Sequence, residues 1–211
     1  MIGPAQAKIK ALAHSGSASV LAKYYSPPEC LNATQIFIPG AYATELPKIF
    51  GMEGKVKPGL LVMHYKGKVT APRTGTFRFV GKGDDFLIVR FGGTTVLDAS
   101  MPGWPPIIKE AAVDDTVGAA EGAGKLMGGK WINVEAGHSY EMEVILGDIG
   151  FGGSISAFLL IQEKGVDYSA RSKGSTGPLL PVFKIGTNTP LPPYKKNING
   201  PEVAPAAIIF K

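Results

Sequence analysis

From Tyr65 to Asp98 the chain reads as two alternating strands that meet at a pair of adjacent carboxylates, and few folds accommodate that arrangement. Thr76-Phe77-Arg78-Phe79-Val80 and Phe86-Leu87-Ile88-Val89-Arg90-Phe91 carry large apolar and β-branched side chains that leave little room for anything but sheet. Between them, Gly81-Lys82-Gly83-Asp84-Asp85 has the composition of a loop. Two neighbouring carboxylates repel each other unless something positive lies beside them, and a hard cation with oxygen ligands is the usual solution. A solvated turn is the simpler reading of the dipeptide taken alone.

A chain of 211 residues can bury a sizeable core and fits one domain with decorations. Hydrophobic residues make up 45% and charged ones 18%, which excludes a disordered chain, while 28 Gly and 17 Pro point to many turns and few long helices. The single cysteine, Cys30, excludes an internal disulfide and the cysteine-rich zinc patterns, and it reads as a small buried thiol. No run reaches the roughly 18 apolar residues of a membrane span. Met1-Ile-Gly-Pro4 lacks the charged start and apolar stretch of a secretory signal, so the expectation is a cytoplasmic chain or a trimmed form of an exported one. The net charge of +5 invites a nucleic-acid reading, but the basic residues are dispersed. Lys66 and Lys68 alternate with Tyr65, Gly67 and Val69 as the solvent face of a strand would.

Along the chain, residues 1–19 read as a short N-terminal arm, weakly periodic and able to form a helical turn, ending in a Ser/Gly break. Strands are expected over Val20–Tyr25, over Thr34–Ile38 before Pro39-Gly40, and over Leu60–Thr70, with a short helix within Ala41–Phe50. In the Leu60–Thr70 strand His64 falls on the outward side and reads as a surface residue. Ser100–Lys130 is a long excursion that opens with Pro102-Gly-Trp-Pro-Pro106 and carries a Gly/Ala-rich tract from Gly118 to Gly129; connections of such length tend to be binding loops or flexible insertions, and Gly118 to Lys125 reads as a flexible linker. Trp131–Val134, Ser139–Leu146 and Ser154–Gln162 return to strand, with Trp131 assigned to the core. Residues 165–211 form a Pro-rich tail expected to pack along the same domain and to add an edge strand. Sequential short strands without alternating helices give an all-β antiparallel sandwich or barrel spanning 20–164.

Enzyme signatures fail one by one. Gly118 to Lys125 has one residue too many between its glycines for a phosphate loop, and Leu126 stands where a magnesium-binding Ser or Thr is needed. His14, His64 and His138 are scattered, and no nucleophile elbow occurs. Asp114-Asp115 reads as a solvated loop tip. Asp84 and Asp85, adjacent on one loop, cannot easily flank a glycosidic bond from opposite sides; Glu110, Glu121, Asp148 and Glu163 are the acids available as partners.

Tyr65-Lys-Gly67, Ala71-Pro-Arg-Thr-Gly-Thr-Phe-Arg-Phe79, Gly83-Asp-Asp85, Val89-Arg-Phe-Gly-Gly93 and Val96-Leu-Asp98 together resemble the core of a PA14 domain, and Ala136 to Val144 with the strand to Gln162 resembles that family's final hairpin. The resemblance covers about Val20 to Gln162 and implies a PA14-type β-sandwich. In lectin-like members two consecutive aspartates joined by a cis peptide bind calcium, a later loop adds an asparagine and backbone carbonyls, and sugar hydroxyls complete the shell. By that resemblance Asp84 and Asp85 are first-loop ligands, and Asp148, Gly150 and Gly152 belong to the second loop, with Asp148 replacing the asparagine and adding charge. Trp104 and Phe151 are candidates for contact with a sugar ring.

The resulting expectation is a non-catalytic, calcium-dependent carbohydrate-binding module of an extracellular or cell-surface protein, lectin- or adhesin-like, whose partner is a glycan or cell-surface polysaccharide. A structural envelope or filament protein that self-associates through its termini, and an accessory domain of a glycosidase, are the competing expectations.

Overall fold

The computed structural model describes residues 3–16, 18–29, 31–57, 61–101, 107–108, 111, 116–120, 124–149, 153–171, 175–186, 202–205 and 208–211. Twelve strands dominate: β1 Phe37–Tyr42, β2 Leu61–Thr70, β3 Gly75–Asp84, β4 Phe86–Phe91, β5 Thr94–Asp98, β6 Thr116–Ala120, β7 Gly124–Gly128, β8 Ile132–Val134, β9 Ser139–Asp148, β10 Ser154–Glu163, β11 Lys184–Ile185 and β12 Ile209–Phe210. Among the described residues there are two α-helices, α1 Gly3–Ser15 ahead of the strands and the short α2 Leu46–Ile49 between β1 and β2. A six-stranded antiparallel sheet runs β1-β10-β3-β7-β6, with β8 also on β3, and faces a four-stranded antiparallel sheet β2-β9-β4-β5. The fold is therefore an all-β antiparallel sandwich.

Alternation places the core. Phe77, Phe79, Ile155, Leu159 and Ile161 from the first sheet meet Leu87, Val89, Leu97, Val144 and Leu146 from the second, all buried. The outer faces are covered too. Helix α1 lays Ile9, Leu12 and Ala13, an i, i+3, i+4 stripe, over Phe86, Ile88 and Ile145 of the four-stranded sheet. Leu180 and Val182 of the tail cover Val80, Phe158 and Leu160 of the other sheet. The tail also enters the core itself: Phe183 lies 5.2 Å from Phe79 and 5.3 Å from Phe210, centroid to centroid. Thr70 and Lys211 exchange two backbone hydrogen bonds, and β11 and β12 of the tail pair in parallel as a separate two-stranded sheet.

Several local expectations are corrected. Val20–Tyr25 is no strand: Ala18–Leu21 is a 3-10 helix followed by turns, with Val20 and Leu21 packed against the cluster under α1 and Tyr24 and Tyr25 both about half exposed. Strand β1 does not stop at Pro39-Gly40 but passes through it with a register shift between Ile38 and Ala41, which an edge strand tolerates because its outer amides need no partner. The Gly118–Gly129 tract is not a plain linker; it builds the β6–β7 hairpin, and Val117 and Leu126 are buried against the tail. Trp131 is not core but 40% exposed, with the Arg78 guanidinium 4.6 Å above its ring. His64 is not a free surface residue, since its Nε2 lies 2.8 Å from the buried Glu143 carboxylate. Arg90 also pairs with Glu143 and donates to the Ala13 carbonyl at the end of α1, so the helix covers a charged network.

Phe183→Ala is expected to destabilise the domain by about 3–5 kcal/mol, the range for truncating a buried Phe, as read from the denaturant midpoint. A loss below 1 kcal/mol would mean that the tail is not part of the core.

Candidate functional site

Two of the places where the chain passes from one sheet to the other are neighbours. Strand β3 of the six-stranded sheet ends at Asp84 and β4 of the four-stranded sheet begins at Phe86, so a single residue, Asp85, makes the first crossing. The second crossing leaves the four-stranded sheet at Asp148 and enters β10 at Ser154. Pairing of Phe86 with Gly147 and of Asp84 with Ser156 brings both crossings to one end of the sandwich.

Glycine makes the tight crossing possible. A Cβ on Gly83 would lie 2.2 Å from the Phe86 carbonyl carbon and 2.3 Å from the Leu87 nitrogen, and one on Gly147 would lie 2.0 Å from the Leu61 oxygen. Those are backbone atoms, which cannot swing aside.

Asp84 and Asp85 are joined by a cis peptide bond. Asp85 is 5% exposed. Its Oδ2 accepts the Ile149 amide at 2.8 Å, its own amide donates to the Gly147 carbonyl at 3.1 Å, and its carbonyl accepts the Met101 amide at 2.8 Å. Asp85 thus ties the second crossing and the start of the long excursion to the first. The Asp84 carboxyl is held above the ordinary carboxylate range, first by burial and then by the charges of Asp85 and Asp148; Lys82 and the Ser154 hydroxyl, 3.5 Å from Oδ2, oppose this. Asp148 is 2% exposed and follows Met142, Val144 and Leu146 in the inward alternation of β9.

The structure therefore brings Asp84, Asp85 and Asp148 to the same end, with Asp84 and Asp85 adjacent and Asp148 close enough for Asp84 to sense its charge. Among the described residues no three His, Cys, Asp or Glu side chains form a ready-made metal cluster, so side chains alone make only part of a shell. Gly150, Phe151, Gly152 and Trp104 lie outside the described residues, as do Asp114, Asp115, Glu110, Glu121 and Cys30. Glu163 is spent elsewhere, in an ion pair with Arg73.

One organising residue escaped the sequence reading. Asp98, 5% exposed, accepts the Ser100 amide through Oδ1 at 3.1 Å and the Ile108 amide through Oδ2 at 2.7 Å, holding both residues of the excursion to the end of β5. The signal was available: an acid closing a strand, followed by Ala99-Ser100, fits a side chain that caps its own loop.

No family model matches this chain, and no curated protein sequence matches it. Solved structures similar to it include the PA14 domain of the MpAFP antifreeze protein, at 14% identity and TM-score 0.42 over 66% of this chain and 68% of that one. Another is a PA14 sugar-binding domain from an RTX adhesin, at 12% identity and TM-score 0.42 over 71% and 72%. A third is a β-glucosidase from Kluyveromyces marxianus in complex with glucose, at 11% identity and TM-score 0.35, where the match spans 68% of this chain and 20% of the enzyme.

The raised Asp84 carboxyl has a definite sign. A carboxyl whose pKa is higher folded than unfolded supports the fold below its unfolded value, 3.8, and that support is lost as pH rises through the folded value. In chelator-treated protein, Asp84→Asn is expected to be more stable than wild type at pH 7 and to lose the advantage near pH 3. Thermal melts across that range check it, and an Asn variant less stable at pH 7 would contradict it.

Proposed function

We propose that this chain is a non-catalytic carbohydrate-binding domain that holds a calcium ion at the two sheet crossings and grips vicinal sugar hydroxyls through it. The observation that carries the reading is the adjacency of Asp84 and Asp85 at the first crossing, with Asp148 at the same end of the sandwich; burial first, and then the charges of Asp85 and Asp148, oppose the ionisation of Asp84. Placing such charges together is unfavourable without a counter-charge. The side-chain donors are carboxylate and hydroxyl oxygens, the ligands calcium prefers over zinc or copper. Asp84 and Asp85 would hold the ion. Asp148, and the carbonyls of Gly150 and Gly152, belong to the second crossing, from which the remaining protein ligands would come.

The sugar enters as a ligand. Calcium accepts six to eight oxygens, and a site at the surface end of a sandwich leaves positions for two hydroxyls. Trp104 of the 100–130 excursion and Phe151 of the stretch after Asp148 are the aromatic residues proposed to contact the ring. The sequence resemblance supplies the ligand class, and an extracellular or cell-surface setting follows from it. No helix among the described residues is long and apolar enough to cross a membrane.

Calorimetric titration with calcium is the test. Wild-type protein is expected to bind one ion. Asp85→Asn, which keeps an acceptor for the Ile149 amide but removes the charge, is expected to lose at least tenfold in affinity. At a calcium concentration 100-fold above Kd, wild type gains about 2.7 kcal/mol, a rise in melting temperature of about 5–11 °C for a chain of this length. Absence of heat and of any thermal shift in wild type would refute the ion site.

A further inference from the structure

Tyr42 is the most exposed of the large apolar or aromatic side chains among the described residues, at 69%. Nothing at its position in the sequence marks it, since it follows Pro39-Gly40-Ala41 at the end of an edge strand. The register of the six-stranded sheet gives it a place. Tyr42 pairs with Ser154, and Ser156 pairs with Asp84. Cross-strand partners in an antiparallel sheet, and residues two apart on one strand, share a face. Tyr42, Ser154, Ser156 and Asp84 therefore all belong to the outer face. The neighbours agree, because Ala41, Ile155 and Ala157 pack inward against the core. The Ala43 amide donates to the Gly153 carbonyl at 3.0 Å, which fixes the end of β1 to the second crossing.

Two strand spacings of about 4.8 Å separate Tyr42 from Asp84 across the sheet, and a two-residue offset adds about 7 Å along it. The backbones thus stand roughly 12 Å apart on one face, with Ser154 between them reaching toward Asp84. That gap suits a carboxylate, an ion and one sugar ring ending against an aromatic face. A phenol ring exposed beside a polar site offers a negative π-face to the C–H groups of a pyranose, while its hydroxyl stays free for water or a sugar oxygen. Trp131, the other strongly exposed ring on this sheet, is unsuited: it lies by β8, which pairs with Gly75–Phe77 at the far end of β3, and its face is taken by Arg78.

We infer that Tyr42 is the aromatic platform of the carbohydrate site, stacking on the apolar face of a pyranose whose vicinal hydroxyls are held at Asp84–Asp85. This rests on the calcium-dependent carbohydrate reading above and adds to it a residue that determines which ring face is accepted. Ser154 becomes a polar contact at the midpoint, donating to Asp84 or to a sugar oxygen.

The test uses the full chain with saturating calcium and four probes: the methyl pyranosides of mannose, glucose, galactose and fucose. Binding is followed by calorimetry and by intermolecular nuclear Overhauser effects. For the tightest probe, Tyr42→Ala is expected to lose tenfold or more in affinity with calcium affinity unchanged, Tyr42→Phe to stay within threefold of wild type, and sugar C–H protons to show contacts with the Tyr42 ring protons. Unchanged sugar affinity in Tyr42→Ala, or contacts only to other aromatic rings, overturns the platform and leaves the calcium reading standing. Calcium binding with no affinity for any pyranoside overturns platform and sugar reading together. Failure of wild type to bind calcium removes the ion, and the platform as stated with it. Because Tyr42 is exposed, the alanine variant is expected to melt with wild type, and the proton contacts in wild type decide the matter if it does not.

Discussion

The architecture depends on a crossing of one residue. A chain that leaves one sheet at Asp84 and enters the facing sheet at Phe86 must bring two backbones closer than side chains normally permit, and Gly83 removes the Cβ that would otherwise strike Phe86 and Leu87. Gly81, one inward position earlier, lies under Leu87 and Leu97 for the same reason. Phe77 and Phe79, earlier on the same inward face, fill the wider part of the sandwich. The sandwich thus narrows toward the crossing, and the polar residues that cannot be accommodated between the sheets collect there.

That narrowing explains why acids are found together at a place where burial opposes their charge. Asp85 uses its carboxylate and both its backbone groups to bind the second crossing and the start of the excursion. Asp98 performs a similar task one strand away. Burial, Asp85 and Asp148 hold the Asp84 carboxyl above the ordinary carboxylate range, against the opposing effects of Lys82 and Ser154. A divalent cation held there would favour the ionised form of Asp84, Asp85 and Asp148 at once.

What could be read in the sequence follows from how local the causes are. The alternation of Phe77, Phe79, Leu87 and Val89 needs only the strand's own period, so the two strands themselves were visible in it; that they belong to facing sheets was not. His64 was misplaced because its surroundings come from residues far away: Glu143 and Arg90 lie on other strands, and α1, the helix over Arg90, is some fifty residues distant in sequence. Val20–Tyr25 had the residue types of a strand without its alternation, and half-exposed Tyr24 and Tyr25 show that no sheet face was there to receive them. Gly118 and Gly124 have positive φ, so glycines that suggested flexibility serve a hairpin's tight geometry. Tyr42 was illegible for another reason. Its relation to Asp84 exists only through two strand registers, one of them shifted by a bulge.

The central claim, that the two sheet crossings form a calcium site, is met most directly by a crystal structure of the full chain grown with calcium and measured at a wavelength where the ion scatters anomalously. The account predicts an anomalous peak with oxygens of both Asp84 and Asp85 within 2.3–2.6 Å, the calcium–oxygen range, and further oxygens from the 148–153 crossing. Well-ordered carboxylates at saturating calcium with only water between them would contradict it.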